Sequence, residues 1–222
     1  MLNNNFKYIL FDLDGTLTDS GLGIINSVKY ALKHFNIEAE SEESLRKFVG
    51  PPLRESYMKF YGFSESQADE GLKVFREYFE KQGMFENEVY NHIEAVLKEL
   101  KKRGKVLSIA TSKPEVYSVK ILKHFNLDQY FTVIAGSDFE ETRVKKADVI
   151  KYALEKIEES DKNFTKEECV MIGDREHDIL GAKENGIKSI GVLYGYGDVV
   201  ELTQARADNI VKEPKELLEV LL

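Results

Sequence analysis

Two aspartates one residue apart, Asp12 and Asp14, followed by Gly15 and Thr16, close the apolar run Tyr8-Ile9-Leu10-Phe11. The run reads as a buried strand, and side chains alternate along a strand, so both carboxylates are expected on one side with Leu13 on the other. Paired acids have two uses in chemistry. They can offer oxygen ligands to a hard divalent cation, or one can act as nucleophile while its neighbour carries a proton as the acid. Gly15 allows backbone to approach a ligand closely, and Thr16 adds a hydroxyl and an amide donor. A calcium loop opening at Asp12 fails by count, since Leu17 would fall at its required glycine and Gly23 at its bidentate glutamate. A hairpin turning at Asp14-Gly15 conflicts with the helical pattern that follows. The stretch reads as a site for phosphoryl transfer.

Acids at one strand end need partners, and the rest of the chain supplies them at the ends of other strands. Beyond residue 88 the pattern alternates between strands and helices: a helix through Ile93, Val96, Leu97 and Leu100, a strand over 106–110, a helix after Pro114 and a strand over 132–135. A helix over 146–157, a strand over 169–172, a helix ending near Gly186, a strand over 189–193 and a short run over 209–211 complete the series. Strands separated by helices imply an α/β fold, a doubly wound, mostly parallel sheet with a Rossmann-like core and its ligand site at the carboxyl ends of the strands. At those ends stand Thr111 and Ser112 after the second strand, and Asp174 after the run Cys169-Val170-Met171-Ile172-Gly173, with Asp178 one helical turn on. Lys145 and Lys146 open a helix between them. Each has a plainer reading alone: Thr111, Ser112, Asp174 and Asp178 as helix-start residues, the lysines as solvated surface. Their joint occurrence in this order favours one shared site.

Between the first strand and residue 88 the chain is mostly helical. Ile24, Ile25, Val28, Ala31, Leu32 and Phe35 recur at helical spacing, and Ser64 with Gln67 makes a capping box ahead of Ala68, Leu72, Phe75 and Phe79. The segment Val49-Gly50-Pro51-Pro52-Leu53 breaks the chain between them. Residues 18–87 are therefore expected to form a small α-helical cap domain inserted into a core of residues 1–17 and 88–222. The repeated ending Leu-Lys-His-Phe-Asn at 32–36 and 122–126 reads as two similar helix stops with asparagine at the turn.

Bulk composition narrows the partners. The 222 residues carry a formal charge of −8, with no clustered excess of Lys and Arg, which excludes a nucleic-acid surface. A small anionic substrate would need locally placed cations or a metal. No stretch approaches about 18 consecutive apolar residues, so no membrane partner is expected. The single cysteine, Cys169, lies in an apolar run and reads as a packing residue. A cytoplasmic, monomeric protein is the expectation.

Taken together, Asp12-Leu13-Asp14-Gly15-Thr16, Thr111, a lysine at 145 or 146, and Gly173-Asp174-Arg175-Glu176-His177-Asp178 resemble the four motifs of the haloacid dehalogenase-like hydrolases, specifically their phosphatase branch. Val49-Gly50-Pro51-Pro52-Leu53 and Tyr194-Gly195-Tyr196-Gly197 are similar to phosphoglycolate phosphatase-like members. The resemblance implies Mg²⁺ held by Asp12, Asp174 and the backbone carbonyl of Asp14, with Asp178 orienting a ligand water. It implies Asp12 as nucleophile forming an aspartyl-phosphate, Asp14 as acid and base, and Thr111 and Lys146 as charge stabilisers. Thr16, Ser112 and the cap residue Arg54 are the candidate substrate contacts. Ala147 stands where a proline often follows the lysine, so the choice of Lys146 over Lys145 stays open. The implied substrate is a small phosphorylated metabolite, phosphoglycolate-like or a nucleoside monophosphate. Alternatives are a sugar-phosphate mutase of the β-phosphoglucomutase kind, a pyrophosphatase, the less fitting dehalogenase, and, in another class, a phospho-receiver switch.

Overall fold

The computed structural model describes residues 6–39, 41–139 and 142–222. In chain order the elements are β1 (Tyr8–Phe11), β2 (Thr18–Asp19), α1 (Gly21–His34), α2 (Glu42–Leu45), α3 (Leu53–Tyr61), α4 (Glu65–Lys81), β3 (Glu88–Val89) and α5 (Ile93–Lys102). Then follow β4 (Val106–Pro114), α6 (Glu115–His124), β5 (Phe131–Ser137), α7 (Lys146–Ser160), β6 (Cys169–Gly173), α8 (Glu176–Glu184), β7 (Lys188–Val192), α9 (Val199–Gln204), β8 (Asn209–Val211) and α10 (Glu216–Leu221). Six strands form one sheet in the order β5-β4-β1-β6-β7-β8, and every neighbouring pair is parallel. The expected doubly wound α/β sheet is present, with β1 at its centre.

A central parallel strand is covered on both faces, so it reads as an unbroken apolar run, and Tyr8, Ile9, Leu10 and Phe11 are all fully buried. Tyr8 and Leu10 pack with Val149, Ile150, Ala153, Leu154 and Ile157 of α7 in one cluster that also takes in Cys169 and Met171 of β6. Those α7 positions fall on a single stripe at helical spacing. Alternation then directs Asp12 to the α7 side, following Tyr8 and Leu10.

Register does the rest. Phe11 lies level with Ile109 of β4 and Ile172 of β6, so the three strands reach this rim in step. One step on come Asp12, Ala110 and Gly173, and a second step brings Thr111 and Asp174 to the same rim. The strand over 106–110 runs longer than its sequence suggested: β4 continues through Thr111, Ser112 and Lys113 to Pro114, with an irregularity in its pairing to β5 between Ala110 and Pro114. A bulge lets a strand bend past its last regular pair and re-aim side chains at the sheet's rim.

The chain divides into two compact units, Met1–Thr18 with Val89–Leu222, and Asp19–Glu88. The second unit is built from α1 to α4. Ser64 caps α4 by accepting from the Gln67 amide at 3.3 Å, and Gln67 Oε1 accepts from the Ser64 amide at 3.0 Å. Phe35, Tyr57 and Phe63 pack ring to ring, with Tyr57 and Phe63 stacked at 5.5 Å. The two similar helix endings adopt the same turn: Asn36 and Asn126 both have φ of 56°, the left-handed conformation asparagine tolerates.

Candidate active site

Asp12 and Asp14 both follow the last residue of β1. β1 stops at Phe11, and the chain then coils through a turn in which the amides of Leu17 and Thr18 both donate to the carbonyl of Leu13. The regular strand therefore ends before Asp14, and the two carboxylates meet different lysines. Asp12 Oδ1 lies 2.8 Å from Lys146 Nζ, whereas Asp14 Oδ2 lies 3.0 Å from Lys113 Nζ. Gly15, at φ +79°, occupies the left-handed region that the turn demands.

Lys146 is the first residue of α7 and is buried, while Lys145 sits before the helix, exposed. Lys146 Nζ lies 2.8 Å from Asp12 and 2.8 Å from Asp178 Oδ1, and donates to the Ala110 carbonyl at 3.2 Å. Burial pushes its ammonium toward neutrality, but the adjoining carboxylates of Asp12 and Asp178 outweigh burial and raise its pKa. The Leu13 amide donates to the same Asp12 oxygen at 2.8 Å, fixing how that carboxylate is turned.

Asp174 is fully buried beyond β6, where its Oδ2 accepts from the Tyr196 amide at 2.8 Å and its Oδ1 stands 3.5 Å from the Thr16 hydroxyl. Both partners are neutral. Burial first, and then the negative charges of Asp178 and Asp12, hold its pKa well above the ordinary carboxylate range. Asp178 accepts from the Arg175 amide at 3.1 Å as α8 begins, and burial raises its pKa to about 6 against the lowering effect of Lys146. Thr111 is buried at the rim and Ser112 half-buried beside it.

Carboxylate oxygens of Asp12, Asp174 and Asp178 all lie within 4.8 Å of one another. The donor set suits a hard divalent cation: of three buried carboxylates only Asp12 and Asp178 touch the buried Lys146 ammonium, and the hydrogen-bond partners of Asp174 carry no charge. This cluster can hold a metal ion. The carboxylate of Asp14 lies outside it, turned to Lys113.

Sequence reasoning passed over Lys113 and gave no role at the site to Gly195, Tyr196 and Gly197. Lys113 was passed over because Thr-Ser-Lys-Pro looks like a helix start; its place two residues after Thr111 was the available signal. The Tyr196 amide holds Asp174, and Gly195 and Gly197 lie so close that a Cβ at either would stand 2.5 Å from the Asp174 Cβ or 1.9 Å from its carbonyl oxygen, respectively. Arg54 belongs to the helical unit, where its guanidinium is held by Asp69 at 2.7 Å and Glu65 at 3.4 Å.

This combination of sheet and strand-end residues defines a class. The family model of the haloacid dehalogenase-like hydrolases matches residues 9–192, and the chain belongs to that family. A 5'-nucleotidase from Pseudomonas aeruginosa is 41% identical over 97% of this chain and 96% of its own length. The tyrosine-protein kinase PtkA of Mycobacterium tuberculosis is 36% identical over 97% of this chain and 72% of its own. The crystal structure of a predicted phosphatase from Clostridium acetobutylicum superimposes with a TM-score of 0.90 at 49% identity, covering 96% of this chain and 99% of that one. Among the described residues no helix is long and apolar enough to cross a membrane.

Proposed function

We propose that this phosphatase of the haloacid dehalogenase-like family is a Mg²⁺-dependent enzyme that hydrolyses small phosphomonoesters, nucleoside monophosphates or phosphoglycolate-like esters, through an aspartyl-phosphate on Asp12. The observation that carries the reading is Lys146, buried and 2.8 Å from both Asp12 and Asp178 in a cluster shared with Asp174. Such an arrangement holds a carboxylate rigidly beside positive charge, as a nucleophile facing a phosphate needs.

Asp12, Asp174 and the backbone carbonyl of Asp14 would hold Mg²⁺, with Asp178 behind them. When bound, the ion offsets phosphate charge and so lowers the repulsion met by an attacking carboxylate. An Asp12 oxygen attacks phosphorus; a new phosphorus–oxygen bond forms as the bond to the leaving alcohol breaks, and Asp14 gives that alcohol its proton. Asp14 then takes a proton from water as the water oxygen bonds to phosphorus; the bond from phosphorus to Asp12 breaks, releasing phosphate and restoring the Asp12 carboxylate. Thr111, Ser112 and Lys146 spread the charge gathering on the transferred group.

The nucleotidase relative supports hydrolysis because this chain matches nearly its whole length, whereas over a quarter of the kinase relative has no counterpart here. Nucleoside monophosphates therefore head the substrate list. A cytoplasmic site of action fits the lone, buried, unpaired Cys169. Phosphate release from a panel of metabolite esters, with Mg²⁺ and with EDTA, tests the reading. Release that EDTA suppresses is expected; no release from any ester, or release indifferent to EDTA, would contradict it.

A further inference from the structure

The Asp14 carboxylate is held at one oxygen and unpartnered at the other. Oδ2 lies 3.0 Å from Lys113 Nζ, and both side chains are buried, 10% and 6% exposed. Oδ1 is also buried and has no hydrogen-bond partner among the described residues. A buried carboxylate oxygen without a partner costs stability, so its retention points to a partner that the protein does not supply. We infer that Lys113 is a positioning residue, pinning Oδ2 so that Oδ1 alone faces the leaving oxygen and carries the proton. This inference rests on the phosphatase reading above and assigns that reading's acid a fixed orientation.

The local structure explains how Lys113 reaches it. β4 does not end at Ala110 but continues past Thr111 to Pro114, and the Lys113 amide donates to the Thr111 hydroxyl at 3.3 Å. The irregular pairing to β5 between Ala110 and Pro114 bends the strand here, and the Lys113 ammonium reaches Asp14 beyond the rim where Thr111 lies. Lys146 lies against Asp12 and Asp178, and Lys113 lies against Asp14. A lysine that merely balanced charge in the acid cluster would be expected against Asp12 or Asp174, where carboxylates crowd. Lys113 instead touches the acid that stands apart from them.

A general acid matters most when the leaving group is poor, and its loss costs about 10² to 10⁴-fold. Weakened orientation should cost part of that. The test compares wild type, Lys113→Met, Lys113→Arg, Asp14→Asn and the Lys113→Met/Asp14→Asn double variant on ethyl phosphate and on 4-nitrophenyl phosphate, in Mg²⁺. Lys113→Met should lower kcat on ethyl phosphate by about 10- to 100-fold with KM little changed, and on 4-nitrophenyl phosphate by less than about threefold. Lys113→Arg should recover part of the loss, and Lys113→Met should cost nothing further once Asp14 is Asn. Should Lys113→Met not fold, Lys113→Arg and Lys113→Gln carry the same two-substrate comparison. Equal losses on both esters, or losses that add fully to those of Asp14→Asn, overturn the inference alone. A wild type that turns over no ester overturns the phosphatase reading and the inference with it.

Discussion

A Cβ placed on Gly15 would fall 2.2 Å from Oδ2 of Asp174 and 2.7 Å from the ring of Tyr196. The first acidic segment and the far strand end are thus in direct backbone-to-carboxylate contact. Gly15→Ala combines this clash with strain at φ +79°, worth about 1–3 kcal/mol. Activity should fall at least about a hundredfold, because a displacement near 1 Å at a reacting centre costs that much. Kinetics beside a thermal melt check it: a folded, fully active Gly15→Ala enzyme would show that Asp174 does not need its present position.

Removing Lys146 should be costly to the fold as well as to turnover. Lys146→Met leaves Asp12 and Asp178 buried together without their shared cation, and breaking a buried pair from one side costs about 3–5 kcal/mol. Denaturant titration should show that loss. Lys145→Met, at an exposed position, should stay within about 0.5 kcal/mol of wild type.

Metal should stabilise the protein independently of substrate. Mg²⁺ at about a hundred times its dissociation constant adds about 2.7 kcal/mol, which for a chain of this size moves Tm by several degrees. EDTA should reverse the shift and Asp174→Asn should abolish most of it. An equal Mg²⁺ shift in Asp174→Asn would place the ion elsewhere.

A pH effect lies away from the site. Asp161 accepts from Lys7 at 2.7 Å and from the Tyr8 hydroxyl at 2.8 Å, and the hydrogen bond from Lys7 leads in lowering its pKa from the ordinary 3.8 to about 2. The folded state then holds its proton less tightly than the unfolded state. Its contribution is present above pH 3.8 and is lost as pH falls toward about 2. Asp161→Asn should flatten the stability profile in that window and leave its slope near neutrality unchanged; an unaltered acid limb would contradict this.

How much of this was legible in the sequence follows from where each residue sits. Asp12 and Asp174 could be read because each directly follows an apolar strand, and parallel register carries strand ends to one rim. Lys146 was readable only as one of two candidates: helix geometry, not composition, turns the second lysine inward and leaves Lys145 exposed. Lys113 was hidden because Pro114 resembles a helix start, while the strand in fact runs on to it. The Tyr196 amide was beyond reach, since a backbone donor leaves no mark on residue type. Arg54 is expected at the substrate only as a cation of the cap segment; in the folded helical unit its charge lies against Asp69 and Glu65. It remains a proposal, tested by whether Arg54→Ala raises KM without lowering kcat.

The most direct test of Asp12 as nucleophile is rapid acid quench of the enzyme with ³²P-labelled ester in Mg²⁺, followed by borohydride reduction and peptide mapping. Label confined to the peptide bearing Asp12, absent in Asp12→Asn, and turnover in that variant reduced roughly ten-thousandfold are expected. Turnover without any labelled protein, or label retained in Asp12→Asn, would contradict the covalent route.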